Sequence, residues 1–410
     1  MNIVFFSLVA LSVVFAVLAG TPADVGKAAL DSAKSAVELS LGLVGYMALF
    51  LGLMKIVEEA GGLSFMGRLI RPLLVRLFPD VPADHPAMGA MVMNIAANAL
   101  GLGNAATPFG LKAMKELQSL SVEKQSATNA MVLFLAINTS GLALLPTGVI
   151  GLRALEGSRE PAAIFPTTLL ATAISTCVGV LVAKVLARRK PFAASPMQTA
   201  ADDEVAAANQ PTSIKDLLPL LGFVGAILCL VGAVYKFGEA ASAWIVPGLI
   251  FFMLTVGVLR RVKVYEAFVA GAKEAFSLAT MIIPYLVAIL SAVGMLRASG
   301  GLRTLTDYLA VLTEPLGLPA EVLTLAVLRP LSGSGAFGIT ADLLKTYGPD
   351  SYLGNLASTM NGSTETTFYV LAVYFGSIGV TRLRHAIVAG LSADVAGVFA
   401  SVLAVRLLLG

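Results

Sequence analysis

Hydrophobic positions along this chain gather into long uninterrupted runs, at roughly 1–19, 40–57, 128–152, 162–187, 214–235, 241–260, 278–296, 354–380 and 386–409. Each run is near the roughly 20 residues that a helix needs to cross about 30 Å of hydrocarbon. The pattern predicts an all-α polytopic membrane protein with about nine spanning helices. Residues 1–19 end in small residues like a signal peptide, but they lack a basic leading segment and stay apolar throughout, so they read as a retained span.

Polar positions break this pattern at four places. Residues 86–101 read as a helix that stops at Gly101-Leu102-Gly103, and a second short helix follows with Asn104 as N-cap and Pro108 near its first turn. A matching arrangement comprises 320–330, then Ser332-Gly333-Ser334-Gly335, then a helix from about 336 to 346. Asn138-Thr139-Ser140 and the stretch from Asn361 to Thr367 interrupt two longer runs. Unwound backbone at membrane depth is tolerated only where protein buries it or where it lines a wet cavity. These breaks therefore predict two pairs of broken or re-entrant half-helices. Asn94 and Asn98, four residues apart, fall on one helical face.

The breaks are paired because the chain repeats itself. Residues 25–63 align without a gap on 264–302, a constant offset of 239 (264 − 25), matching Val25 with Val264, Lys34 with Lys273 and Tyr46 with Tyr285. Farther on, Asn138-Thr139-Ser140 pairs with Asn361-Gly362-Ser363 at an offset of 223 (361 − 138). The predicted organisation is a first repeat at 1–190, a cytoplasmic linker at 191–213 and a second repeat at 214–410. Basic residues Arg188, Arg189, Lys190, Arg260, Arg261 and Lys263 flank the linker and the following span, which places that side in the cytoplasm and the N-terminus with it. Charges in 65–125 sum to +2 (6 − 4) and those in the equivalent 297–353 to −1 (4 − 5). Opposite signs on equivalent segments are what two inverted-topology repeats predict.

Composition agrees with the bilayer, with 57% hydrophobic and 13% charged residues, against about 25% charged in a soluble domain. The net charge of +3 is spread through loops and predicts no nucleic-acid partner. Cys177 and Cys229 lie inside predicted spans and read as packing residues. His85 and His385 have no neighbours at metal-ligand spacing, so no metal site is expected. No phosphate-binding GxxxxGK[ST] occurs, no nucleophile–base constellation stands out, and no cofactor is implied. Glu365 is different. Its repeat partner is Leu142 (365 − 223), so the scaffold does not require a carboxylate, and placing one at a helix centre costs about 2.5–3.5 kcal/mol. It reads as a proton, cation or cationic-substrate site, with a packing ion pair, for instance to Arg329, or a position at the water interface as the alternatives.

Two motif sets carry a family resemblance. The segments Met93–Asn98 and Leu100–Pro108 resemble the signature of spore maturation protein A. Arg329–Gly335 and Ser358–Tyr369 resemble spore maturation protein B. The chain thus resembles a fusion of the two, joined at 191–213. The resemblance implies nucleoside-recognition or gate domains, related to gates in nucleoside and ferrous-iron transporters.

Together these readings predict a secondary transporter of the bacterial inner membrane working by alternating access. A small polar solute would sit among Asn94, Asn98, Asn104, Thr107, Asn138, Thr139, Ser140, Ser332, Ser334, Asn361, Ser363 and Thr364, with Glu365 coupling H+ or Na+. The expected partners are the lipid bilayer, that solute and that cation, and an oligomer is compatible. The alternatives are a non-transporting scaffold or regulatory partner in envelope assembly, and a lipid flippase.

Overall fold

A computed structural model describes residues 2–409 except 102, 122, 142–143, 190–216, 238–243, 314 and 316. The expected linker at 191–213 lies outside the described residues, as does Leu142. The described chain is helical, without a β-strand and with one isolated bridge between Ser126 and Arg382. The helices run α1 Asn2–Ala19, α2 Pro22–Glu59, α3 Gly62–Leu77, α4 Pro86–Ala99, α5 Gly103–Ser119, α6 Asn129–Thr139, α7 Thr147–Leu155, α8 Phe165–Arg189 and α9 Leu218–Phe237. They continue as α10 Ile245–Leu259, α11 Val264–Ala298, α12 Gly301–Thr313, α13 Leu323–Leu328, α14 Gly333–Tyr347, α15 Tyr352–Ser363, α16 Thr367–Ser377 and α17 Ala386–Leu408.

Three described helices are long and apolar enough to cross a membrane: Pro22–Glu59, Pro161–Arg188 and Ala386–Leu408. Shorter apolar helices cover Phe5–Ala19, Asn129–Thr139, Ile245–Leu259 and Ile283–Ala298. Two runs of spanning length, 128–152 and 354–380, are each split into two half-helices, α6/α7 and α15/α16. The runs 40–57 and 278–296 are the second halves of α2 and α11, helices of 38 and 35 residues. At a rise of 1.5 Å per residue these are about 57 and 53 Å long, well beyond the hydrocarbon thickness.

The duplicated segments form corresponding elements. The long helix of each ends on a left-handed glycine at equivalent positions, Gly61 with φ 86° and Gly300 with φ 75°, where a residue with a Cβ would be strained. Thr128 and Ser351, 223 apart, both cap the next helix, accepting from the N–H of Met131 and Gly354 at 3.1 and 3.0 Å.

Helices α2 and α11 pack antiparallel along much of their length. Gly52 lies against Phe268, while Ser291 donates to the Ala29 carbonyl at 3.2 Å. The offset of 239 exchanges these two contacts, turning Gly52 into Ser291 and Ala29 into Phe268. It likewise exchanges the contact of Gly271 on Lys55 with that of Gly294 on Ser32. Two apolar cores flank this pair. One joins α3, α4, α6 and α16, and the other joins α11, α14, α15 and the middle of α2. Cys177 and Cys229, expected inside the packing, are free thiols on the exposed surface.

Candidate solute and ion site at the paired helix breaks

Each break forms where helix-favouring residues run out. After α6 the chain reaches Gly141 in the left-handed region, φ 62°, and resumes as α7 only beyond Pro146. After α15 it reads Thr364-Glu365-Thr366, and both threonines adopt extended backbone, as β-branched residues tolerate easily. The two unwound segments meet: a Cβ on Gly141 would lie 2.7 Å from the Thr364 carbonyl carbon. These are equivalent positions of the repeat (364 − 223 = 141).

Buried unpaired backbone groups are costly, and several at the breaks have partners on the other elements. The Glu365 N–H donates to the Thr139 carbonyl at 2.9 Å. The Leu144 N–H donates to the Ala99 carbonyl at the end of α4 at 3.0 Å, and the Phe368 N–H to the Pro330 carbonyl beyond α13 at 3.0 Å. Thus each broken pair, α4/α5 and α13/α14, is tied to the break beside it. Thr172 on α8 donates to the Ser140 and Gly141 carbonyls at 2.8 and 2.7 Å.

Amides fill the first side. Asn94, fully buried, donates to the Ala106 carbonyl at 2.8 Å and to the Tyr374 hydroxyl at 3.1 Å. Tyr374 donates to Asn138 Oδ1 at 3.3 Å, Asn98 donates to the same oxygen at 2.9 Å, and Asn138 Nδ2 donates to the Phe134 carbonyl at 2.9 Å. The Tyr374 ring stacks on Phe134, with centroids 6.0 Å apart. The expected face of Asn94 and Asn98 therefore meets Asn138, and Tyr374, which sequence reasoning missed, completes the cluster.

Charges fill the second side. Arg329, 8% exposed, donates through Nη2 to the Thr364 carbonyl and through Nη1 to Thr366 Oγ1 at 3.5 Å. Its Nη2 also stands 4.0 Å from Glu365 Oε2, a long ion pair whose acidic side chain is 56% exposed. Glu365 is thus at the surface of the protein rather than sealed inside. Asp394 on α17 is buried, accepting from Thr367 Oγ1 at 2.7 Å. It too was missed, although it lies inside the run 386–409 and the penalty that singles out Glu365 applies to it equally.

The remaining expected residues divide. The hydroxyls of Thr139, Ser140 and Ser363 donate to carbonyls three residues back in their own helices. Ser140 also bonds Thr176 at 2.8 Å, and Ser363 bonds Ser401 at 3.3 Å. Ser332 caps α14 by accepting from the Gly335 N–H at 3.0 Å, and Ser334 is half-buried in the first turn of that helix. Asn361 is buried and its Nδ2 has no hydrogen-bond partner. Helix α5 begins at Gly103, so Asn104 lies in its first turn rather than at the N-cap, and its side chain is outside the described residues. Thr107 is half-buried farther along α5.

Arg153, another residue that sequence reasoning missed, ties the repeats together at one end. It is 1% exposed and donates to the Pro349 carbonyl at 2.6 Å and to Asp350 at 3.1 Å. Beside the first break lies an apolar cavity of about 460 Å³ lined by Ile70, Leu74, Ile137, Leu144, Thr176 and Phe223, among others.

Residues 40–156 and 279–381 match the Gate family, described as nucleoside recognition. The two matches begin 239 residues apart (279 − 40), the offset of the internal repeat. The chain belongs to the Gate family. It is 48% identical to spore maturation protein B of Bacillus subtilis over 169 residues, which is 41% of this chain and 95% of that protein. It is 45% identical to spore maturation protein A of the same organism over 174 residues, 42% of this chain and 89% of that protein. A helical membrane protein of the Gate family, resembling both spore maturation proteins in one chain, accounts for these matches and for the repeated breaks.

Proposed function

We propose that this Gate protein is a secondary transporter of the bacterial inner membrane, moving a small polar solute by alternating access between two inverted repeats. The observation that carries the reading is the meeting of the α6/α7 and α15/α16 breaks, Gly141 against Thr364, with polar groups buried on both sides. The antiparallel α2/α11 pair supports the inversion, because a two-fold relation exchanges its contacts as the offset of 239 does. About nine crossings and a cytoplasmic N-terminus belong to the same reading, and so does the lining by amides and hydroxyls. Glu365, exposed and beside Arg329, is where a coupling cation, H+ or Na+, would enter.

A scaffold needs its buried polar groups paired. Here Asn94 Oδ1, Asn361 Nδ2, Thr168 Oγ1, Arg329 Nε and Asp394 Oδ1 are buried without hydrogen-bond partners, which favours a site that takes a ligand. A second reading, a carrier of lipids or other amphipathic molecules, draws on the apolar cavity that reaches the first break at Leu144.

Uptake by proteoliposomes tests the proposal, comparing the native chain with Glu365→Gln. Solute uptake driven by an imposed ion gradient, with a pH dependence that the substitution removes, is the expected result. Unchanged uptake and unchanged pH dependence in the variant would strike out the role of Glu365. No movement of any polar solute by the native chain would strike out the transporter.

A further inference from the structure

The more deeply buried carboxyl at the breaks is not Glu365 but Asp394. It sits near the middle of α17 and is 4% exposed. Its Oδ2 accepts from Thr367, while its Oδ1 is buried without a hydrogen-bond partner. None of the ion pairs among the described residues includes it. Its surroundings are hydroxyls and backbone. Thr367 and Thr139 press on Gly390, one turn before it, and Thr364 on Gly397, one turn after it. Ser175 on α8 donates to the carbonyl of the preceding Ala393 at 2.8 Å. The charged groups whose fields reach it are Arg329 and Glu365. The position at the same offset in the first repeat is Ala171 (394 − 223), which carries no acid.

A buried carboxylate with one neutral donor pays a desolvation cost of several kcal/mol that nothing bonded to it offsets. A proton on Oδ1 removes the charge and leaves Oδ2 free to accept from Thr367. The other means of offsetting the charge is Arg329, whose guanidinium is committed to the Thr364 carbonyl and Thr366 and whose Nε is buried without a partner. Cation and carboxylate thus feel each other's field without bonding, each with one unused atom.

We propose that Asp394 is the carboxyl that takes up and releases the coupling proton, and that Arg329 becomes its partner when the proton leaves. On release the carboxylate draws Arg329 from the Thr364 carbonyl, which leaves the Phe368 to Pro330 backbone bond as the remaining named tie between the α13/α14 and α15/α16 breaks. On uptake the carboxyl is neutral, and Arg329 returns to the contacts seen here. Proton binding shifts the balance between the two arrangements because the proton binds only one of them. Glu365, exposed next to Arg329, relays the proton from water. The word coupling rests on the transporter reading, whereas the protonation of Asp394 does not.

Infrared difference spectra of the full chain in lipid, recorded between acid and alkaline pH, read this directly. The native protein is expected to show a buried carboxylic-acid band that titrates. Asp394→Asn should lose it, and Glu365→Gln should keep it. The same band in Asp394→Asn overturns the proposal. Should that variant fail to fold, dicyclohexylcarbodiimide labelling of the native chain replaces it, with mass spectrometry locating the adduct. An adduct on Asp394 that declines as pH rises supports the assignment. No adduct there at any pH, or an adduct suppressed by Na+ at constant pH, overturns it, the latter in favour of sodium. A native chain that titrates at Asp394 yet moves no solute refutes only the transporter reading.

Discussion

The two sides of the central break use the same backbone device with opposite chemistry. On the first side three asparagines and a tyrosine form a neutral cluster, in which Asn94, Asn98, Asn138 and Tyr374 bond to one another. On the second side stand an arginine and two carboxylates, with one long ion pair, Arg329 to Glu365, among them. Positions at the repeat offset make the contrast sharp: the sequence has Leu142 for Glu365 and Ala171 for Asp394. The shared scaffold explains the breaks, and the charges added to one copy are what the scaffold does not need. Neutral amides bonded to one another suit a fixed support, whereas charges without a close counter-charge suit the part that changes state.

This division predicts a graded set of effects. Arg329→Met should be the most severe. It strips the Thr364 carbonyl and Thr366 of a charged donor and removes the cation nearest Glu365, lowering stability by about 3 kcal/mol in micelle denaturation and abolishing uptake. Gly141→Val comes next. It forces a β-branched residue into the left-handed region against the Thr364 backbone, at a cost of about 1–3 kcal/mol before the clash is counted, read by the same denaturation. Tyr374→Phe removes one hydroxyl shared by Asn94 and Asn138, and should cost about 1 kcal/mol while leaving the pH profile of uptake unchanged. Asn98→Ala, at a half-buried position, should cost less again and likewise spare the pH profile. A shifted pH profile in either of the last two variants would erase the distinction between support and switch.

Much of this arrangement is legible in the sequence. The breaks near 101–103, 140, 332–335 and 364–366 announce themselves because glycine and polar residues interrupt apolar runs, and helices end there for local reasons. The spacing of Asn94 and Asn98 gives their shared face, and Arg329 is recognisable as a neighbour of Glu365. The number of crossings is harder to read. Runs 128–152 and 354–380 look like whole spans by length but are split, and 40–57 hides a helix that begins at Pro22. Tyr374, Thr172 and Thr176 escape notice because each adds one polar atom to a helix that stays apolar on average, with a partner more than 30 positions away in sequence. Asp394 escapes for another reason: one acid does not lower the mean hydropathy of a 23-residue helix enough to interrupt it. Its significance emerges only when Thr367 is brought beside it and Arg329 within reach of its field.

The account depends on the breaks being reachable from both faces of the membrane at different moments. Asn361, buried with an unpaired amide next to the second break, is the position to probe. In a background with Cys177 and Cys229 replaced, Asn361→Cys should react with membrane-impermeant thiol reagents from either side, and the transported solute should protect it. Reaction from neither side, in a protein that is folded and inserted, would contradict alternating access at this site.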